Sequence, residues 1–151
     1  MDKQSLVLKH LFLFFVMGMI YFTLEGFWNG KANIIMLPVG GICGLLTGLL
    51  NEFPKFFNLK MWQQTLLGTF IVTLIEFISG VILNIYLGLN LWNYSSMWGN
   101  LYGQITPQYM FLWSVILPFG IFVDDFLRYK FYNEDSYYPI YENYIKLITL
   151  K

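Results

Sequence analysis

The run from Thr65 to Leu87 carries one charged residue, Glu76, in an otherwise uncharged and mainly apolar stretch. That run constrains the fold more than any other feature, because a helix needs about 20 apolar residues to cross roughly 30 Å of hydrocarbon. Three further runs approach that length, over about 11–28, 34–50 and 109–123. The second and fourth are short, so their ends must reach into the interfaces or the bilayer must thin around them. Only 12% of the residues are charged and 57% are hydrophobic, about half the charge that covers a soluble domain. The expected fold is an all-α integral membrane protein of four transmembrane helices. Residues 1–130 form its membrane domain and 131–151 a Tyr-rich tail. The first run reads as a retained span, since no small-residue cleavage site follows it.

Charge sets the expected direction of threading. Lys3, Lys9, Lys55, Lys60, Arg128 and Lys130 flank the runs on one side, and Lys31 stands alone on the other. The segment from Gly88 to Gln108 has no charge. Lys and Arg concentrate on the cytoplasmic side, so both termini are expected there, and dual insertion is disfavoured. Nine basic and nine acidic residues leave no electrostatic footprint for nucleic acid. Cys43 and His10 are each the only residue of their type, so neither a disulfide nor a Cys/His metal set is expected. No cofactor is expected, and the absence of a nucleophile–base constellation argues against an enzyme.

Two small-residue stripes suggest how the helices meet. Gly40, Gly44 and Gly48 fall on one face of the second run, where they permit close backbone approach within the chain or to another copy. In the third run Thr65, Thr69, Thr73, Glu76, Gly80 and Asn84 recur at spacings of three and four, which is one helical face. Glu76 therefore faces protein or a water-filled cavity, near the middle of the span. A carboxylic residue at that depth costs about 2.5–3.5 kcal/mol on insertion scales, and such residues usually pair or line a pathway. With no Lys or Arg at that level, the expectation is a neutral carboxyl that needs an acceptor for its proton. Pro118 supplies one candidate, because its ring frees the carbonyl of Ser114 four residues earlier. Glu76 is thus expected to donate to the Ser114 region, across a gap lined by Gly41, Gly44 and Thr47. Asn84, about 12 Å further along the helix, is expected to form a second polar cluster with Glu25. Glu76 is then either a hydrogen-bonding pin that fixes helix packing or a protonatable site in a conduction path.

The uncharged outer loop contains Trp92, Asn93, Tyr94 and Ser95, followed by Trp98 and Tyr102. Aromatic rings with a polar handle settle at the headgroup level, so this loop either lies on the membrane or lids a cavity. In the tail, Tyr141 to Leu150 reads as a short amphipathic helix with Ile145 and Ile148 on the side that lies on the membrane or docks on a cytoplasmic partner. Asp124 and Asp125 are expected to stop the fourth span, and Arg128 and Lys130 to face the anionic leaflet.

Glu76-Phe-Ile-Ser-Gly80, Leu91-Trp-Asn-Tyr-Ser95, Asn100-Leu-Tyr-Gly-Gln-Ile105 and Asp124-Asp125-Phe-Leu-Arg128 together resemble the putative ABC-transporter type IV (CmpB-like) family of small four-span bacterial membrane proteins. The family pattern is an acidic E-F/Y-x-[ST]-G helix, then W-D-Y-S before N-x-x-G-x-I, and the resemblance covers about residues 15–130. Asn93 stands where the family has Asp, which removes an acid from the outer loop. The resemblance implies a multi-pass protein of the bacterial plasma membrane that serves as a permease for an ATPase partner. The chain has no phosphate-cradling glycine loop of its own. The expected function is a non-enzymatic, transport-related, permease-like subunit that works as a homo-oligomer or with another membrane or cytoplasmic subunit. Two rivals are a small oligomeric pore of the holin or defence-effector kind and a structural scaffold that binds a partner. The pore would ring its axis with the glycine or Glu76 face, and the scaffold would have a fully packed interior.

Overall fold

The computed structural model describes residues 3–52, 58–134 and 137–151. Their regular structure is helical: α1 (Lys3–Asn29), α2 (Met36–Gly48), α3 (Met61–Gly80) with a π-helical extension (Val81–Tyr86), α4 (Pro107–Tyr132) and α5 (Ile140–Ile148). Three segments, Gln4–Asn29, Met61–Tyr86 and Pro107–Tyr132, are long and apolar enough to cross a membrane. The second expected span is shorter than the sequence suggested. Asn33 opens α2 with a turn, its Oδ1 accepting from the Ile35 amide and its carbonyl from the Met36 amide. The 13 residues that follow rise only about 20 Å.

The helix ends have local causes. Gln63 reaches back to the Lys60 amide at 2.9 Å and starts α3. Thr106 Oγ1 accepts from the Tyr109 amide ahead of Pro107, whose missing N–H costs nothing in the first turn. Asp124 and Asp125 do not stop α4, which runs on to Tyr132 and ends at Asn133 in the left-handed region (φ 52°).

Glycines bring α2 against its neighbours. A Cβ at Gly44 would lie 2.5 Å from Met17 of α1, one at Gly40 would overlap Tyr21, and one at Gly48 would overlap the Asp124 carboxylate of α4. In α3 the residues Thr65, Thr69, Thr73, Glu76, Gly80 and Asn84 are buried, while Leu66, Phe70, Leu74 and Ile78 on the opposite face are exposed. That outer face is apolar because its solvent is lipid, where helices gain little by hiding leucine and isoleucine from one another.

At the end of the bundle that holds the N-terminus of α1, five charged groups knot the chain together. Arg128 is 2% exposed and pairs with Asp124 Oδ2 at 2.5 Å and Glu52 Oε2 at 3.0 Å. Glu134 pairs with Arg128 and with buried Lys9. Arg128 and Lys9 therefore point inward rather than toward a leaflet, because carboxylates from three segments replace the water that burial removes. Glu52, Asp124 and Asp125 bring carboxylate oxygens within 4.8 Å of one another, and Arg128 already neutralises two of the three.

The tail packs its polar side against α4. Ile145 and Ile148 of α5 are exposed and Asn143 is buried. Asn143 Nδ2 donates to the Pro118 carbonyl at 3.2 Å, and the Tyr144 hydroxyl donates to the Val115 carbonyl at 2.8 Å. Both acceptors lie on the turn of α4 around Pro118, so the polar side of α5 faces α4 there.

A candidate binding cavity around Glu76

Glu76 is 8% exposed and accepts two hydrogen bonds. The Tyr94 hydroxyl donates to Oε1 and the Trp113 indole N–H to Oε2, each at 3.0 Å. The Ser114 hydroxyl takes no part, because it is turned back to the Phe111 carbonyl of its own helix at 2.7 Å. The expected helix and turn are thus correct, but the neighbouring side chain makes the contact. Residues one apart on a helix diverge by about 100°, so only one of Trp113 and Ser114 can face Glu76. The direction of the bond is reversed as well. An indole N–H is a donor with no acceptor capacity, so Oε2 accepts and does not give up a proton there.

Tyr94 reaches mid-span because its loop folds inward. The Tyr94 amide donates to the Gly103 carbonyl at 2.8 Å, and the Leu101 amide to the Ile105 carbonyl at 3.0 Å. Side-chain amides replace a sheet ladder. Asn93 Oδ1 accepts from the Ser95 amide, Asn100 Oδ1 accepts from the Gly103 amide, and the Trp92 indole donates to the Gln104 carbonyl. Gly103 occupies φ +69°, where a side chain would be strained and would meet Asn93 Oδ1. The Tyr94 ring then stacks on Tyr109 of α4 with centroids 4.4 Å apart. Burial, followed by the charge of Glu76 beside it, pushes the Tyr94 hydroxyl well above the ordinary phenol range, so it stays a donor. Trp98 and Tyr102 are largely exposed, and the Tyr102 ring lies 6.5 Å from that of Phe77 on α3.

The expected pairing of Asn84 with Glu25 is replaced by two loop contacts. Asn84 Nδ2 donates to Gln104 Oε1 at 2.9 Å, and its Oδ1 accepts from the Leu91 amide at 2.6 Å. Gln104 lies so close to α3 that a Cβ at Gly80 would overlap its side chain. Glu25 faces elsewhere, with Oε2 buried and without a hydrogen-bond partner. The hydroxyls of Thr65, Thr69 and Thr73 are likewise buried and unpartnered among the described residues.

Glu76 and Glu25 share a cavity of about 1040 Å³. Its walls come from α1 (Tyr21, Glu25), α2 (Cys43, Gly44, Thr47), α3 (Val72, Glu76), the loop (Trp92, Tyr94) and α4 (Tyr109, Trp113). The Tyr21 ring stacks on Trp113 at 5.9 Å and bridges α1 to α4. Sequence reasoning missed Trp113, Tyr109, Tyr21 and Gln104. One available signal was the indole N–H of Trp113, which needs a partner when buried.

Helices of this length and apolarity define a helical membrane protein. A family model described as Putative ABC-transporter type IV matches residues 6–136. The chain belongs to that family. No curated protein and no solved structure matches it.

Proposed function

We propose that the chain is a non-enzymatic, permease-like subunit of a transport system in the bacterial plasma membrane. The observation that carries this reading is the cavity of about 1040 Å³ with Glu76 in its wall and the Tyr94 loop folded over it. A scaffold would have no use for such a space, because empty volume forfeits contacts. A glycine-lined pore is disfavoured too, since Gly40 and Gly44 lie against α1 and Gly48 against Asp124. In this reading α2 is a fourth, short crossing, extended by the turns at Asn33 and Leu50. Both termini lie in the cytoplasm, in line with the six-to-one bias of Lys and Arg. Energy coupling would come from a separate ATPase subunit, and further copies of the chain would complete the assembly.

The test is ion and small-solute flux in liposomes, measured against pH for the wild type and Glu76→Gln. Flux that disappears in the variant while its fold persists supports the permease reading. Absence of flux from both, with equal stability, makes Glu76 a packing residue and overturns it.

A further inference from the structure

We infer that the cavity binds a lipophilic organic cation, with the charge held between Glu76 and Glu25 against aromatic faces. This inference rests on the permease reading and names the substrate class for the same site. The charged residues lining the cavity are Glu25, Glu76 and Lys31. Lys31 is exposed and forms no ion pair among the described residues. Lys9 and Arg128 are engaged in the ion-pair knot among Glu52, Asp124 and Glu134. Glu76 receives two neutral donors and no cation, and Glu25 Oε2 receives no donor at all. The fold thus supplies two carboxylates to one space, neither of them ion-paired among the described residues.

The rings occupy the route from one carboxylate to the other. Tyr21 lies one helical turn before Glu25 and stacks on Trp113, whose N–H ends on Glu76. Cations are attracted to such faces by the ring quadrupole, more strongly when water is excluded. A hard metal ion would need six or more oxygen ligands, whereas this wall is mostly ring and hydrocarbon. Between α1 and α4 the lining continues through Ile20, Leu24, Ile116 and Phe119, which suits the apolar substituents of such a cation. The volume lies at the upper end of the range of about 300–1,000 Å³ for small-molecule sites.

The experiment is equilibrium binding of tetraphenylphosphonium to the full chain in nanodiscs, followed by tryptophan fluorescence. Tetraphenylborate serves as the anion of matching shape. Saturable phosphonium binding is expected, with affinity at least tenfold weaker in Glu76→Gln or Glu25→Gln and lost in the double variant, and no comparable borate binding. Glu25→Gln removes no observed hydrogen bond, so it keeps the test valid if Glu76→Gln misfolds. Equal binding of both ions, affinity unchanged by the substitutions, or no binding overturns the inference. Flux of neutral or anionic solutes without phosphonium binding would remove this ligand class and leave the permease reading. Phosphonium binding without flux of any solute would do the reverse.

Discussion

The Tyr94 hydroxyl meets Glu76 Oε1 at 3.0 Å and ties the loop between α3 and α4 to the middle of α3. Tyr94 also stacks on Tyr109, so the loop and the carboxylate are held as one unit. Tyr94→Phe keeps the stacking and removes one donor, and Trp113→Phe removes the other. Net hydrogen bonds are worth about 0.5–1.5 kcal/mol, and up to about 3 kcal/mol to a charged acceptor, and each variant should lose stability on that scale in a detergent or nanodisc melt. In a Glu76→Gln background the loss from Tyr94→Phe should shrink. A loss unchanged by the background would mean that Tyr94 acts through its ring alone.

The glycines of α2 predict a graded series. Gly40→Ala, Gly44→Ala and Gly48→Ala each drive a Cβ into a neighbour and should cost about 1–3 kcal/mol. Gly120→Ala meets nothing within 4 Å and should be neutral or stabilising by up to about 1 kcal/mol through helix propensity. Thermal midpoints across the four variants check the order, and a Gly120→Ala defect as large as the others would contradict this packing.

Arg128 is shared by Asp124, Glu52 and Glu134. Replacing it with methionine strands buried carboxylates and should cost about 3–5 kcal/mol. Arg128→Met combined with Asp124→Asn should recover part of that loss. Lysine at 128 should rescue poorly, because an ammonium lacks the planar fork that holds two carboxylates at once. Midpoints that ignore Asp124→Asn in the Arg128→Met background would show that the two side chains are not coupled.

Much of the helical frame was legible, because apolar run length and a spacing of three and four are direct consequences of helix geometry. The third run showed the buried face of α3, with Glu76 on it. The glycines of α2 marked close approach, although only the fold shows that α1 and Asp124 are the neighbours. The partners of Glu76 were not legible, since Tyr94 comes from a loop held to α3 by Asn84 and Gln104 across many residues, with Asn93 and Asn100 shaping it locally. The ion-pair knot was hidden for a different reason: Lys and Arg near span ends read as leaflet-facing, and nothing local shows that Glu52 and Glu134 turn back to meet Arg128. In α5 the amphipathic pattern marked the exposed side with Ile145 and Ile148, but nothing local showed that Asn143 is buried against the Pro118 carbonyl.

A pH dependence follows from Glu52, which lies beyond the end of α2. Burial pushes its carboxyl up to about 7, with Glu134 and Asp124 adding to the effect and Arg128 and Lys9 opposing it. Arg128 does not win although it lies at 3.0 Å, because it is shared with other carboxylates. A carboxyl held above its ordinary value keeps a proton in the folded state that the unfolded chain releases. Its contribution to stability is full below about 4.5 and is lost as pH rises through about 7. The melting temperature of the wild type should therefore fall from pH 5 to 8, and Glu52→Gln should flatten part of that slope. Identical slopes for the two proteins would show that Glu52 does not titrate in this window.

The central claim is that Glu76 faces a space that solutes can enter. Cys43 is the only cysteine and lines the same cavity as Glu76, so its thiol reports access without further substitution. The most direct measurement is labelling of Cys43 in intact membranes by a small, membrane-impermeant thiol reagent, with and without tetraphenylphosphonium. Labelling of the native protein and protection by the phosphonium are expected. A thiol that reacts only after denaturation would contradict it and leave Glu76 as a sealed packing residue.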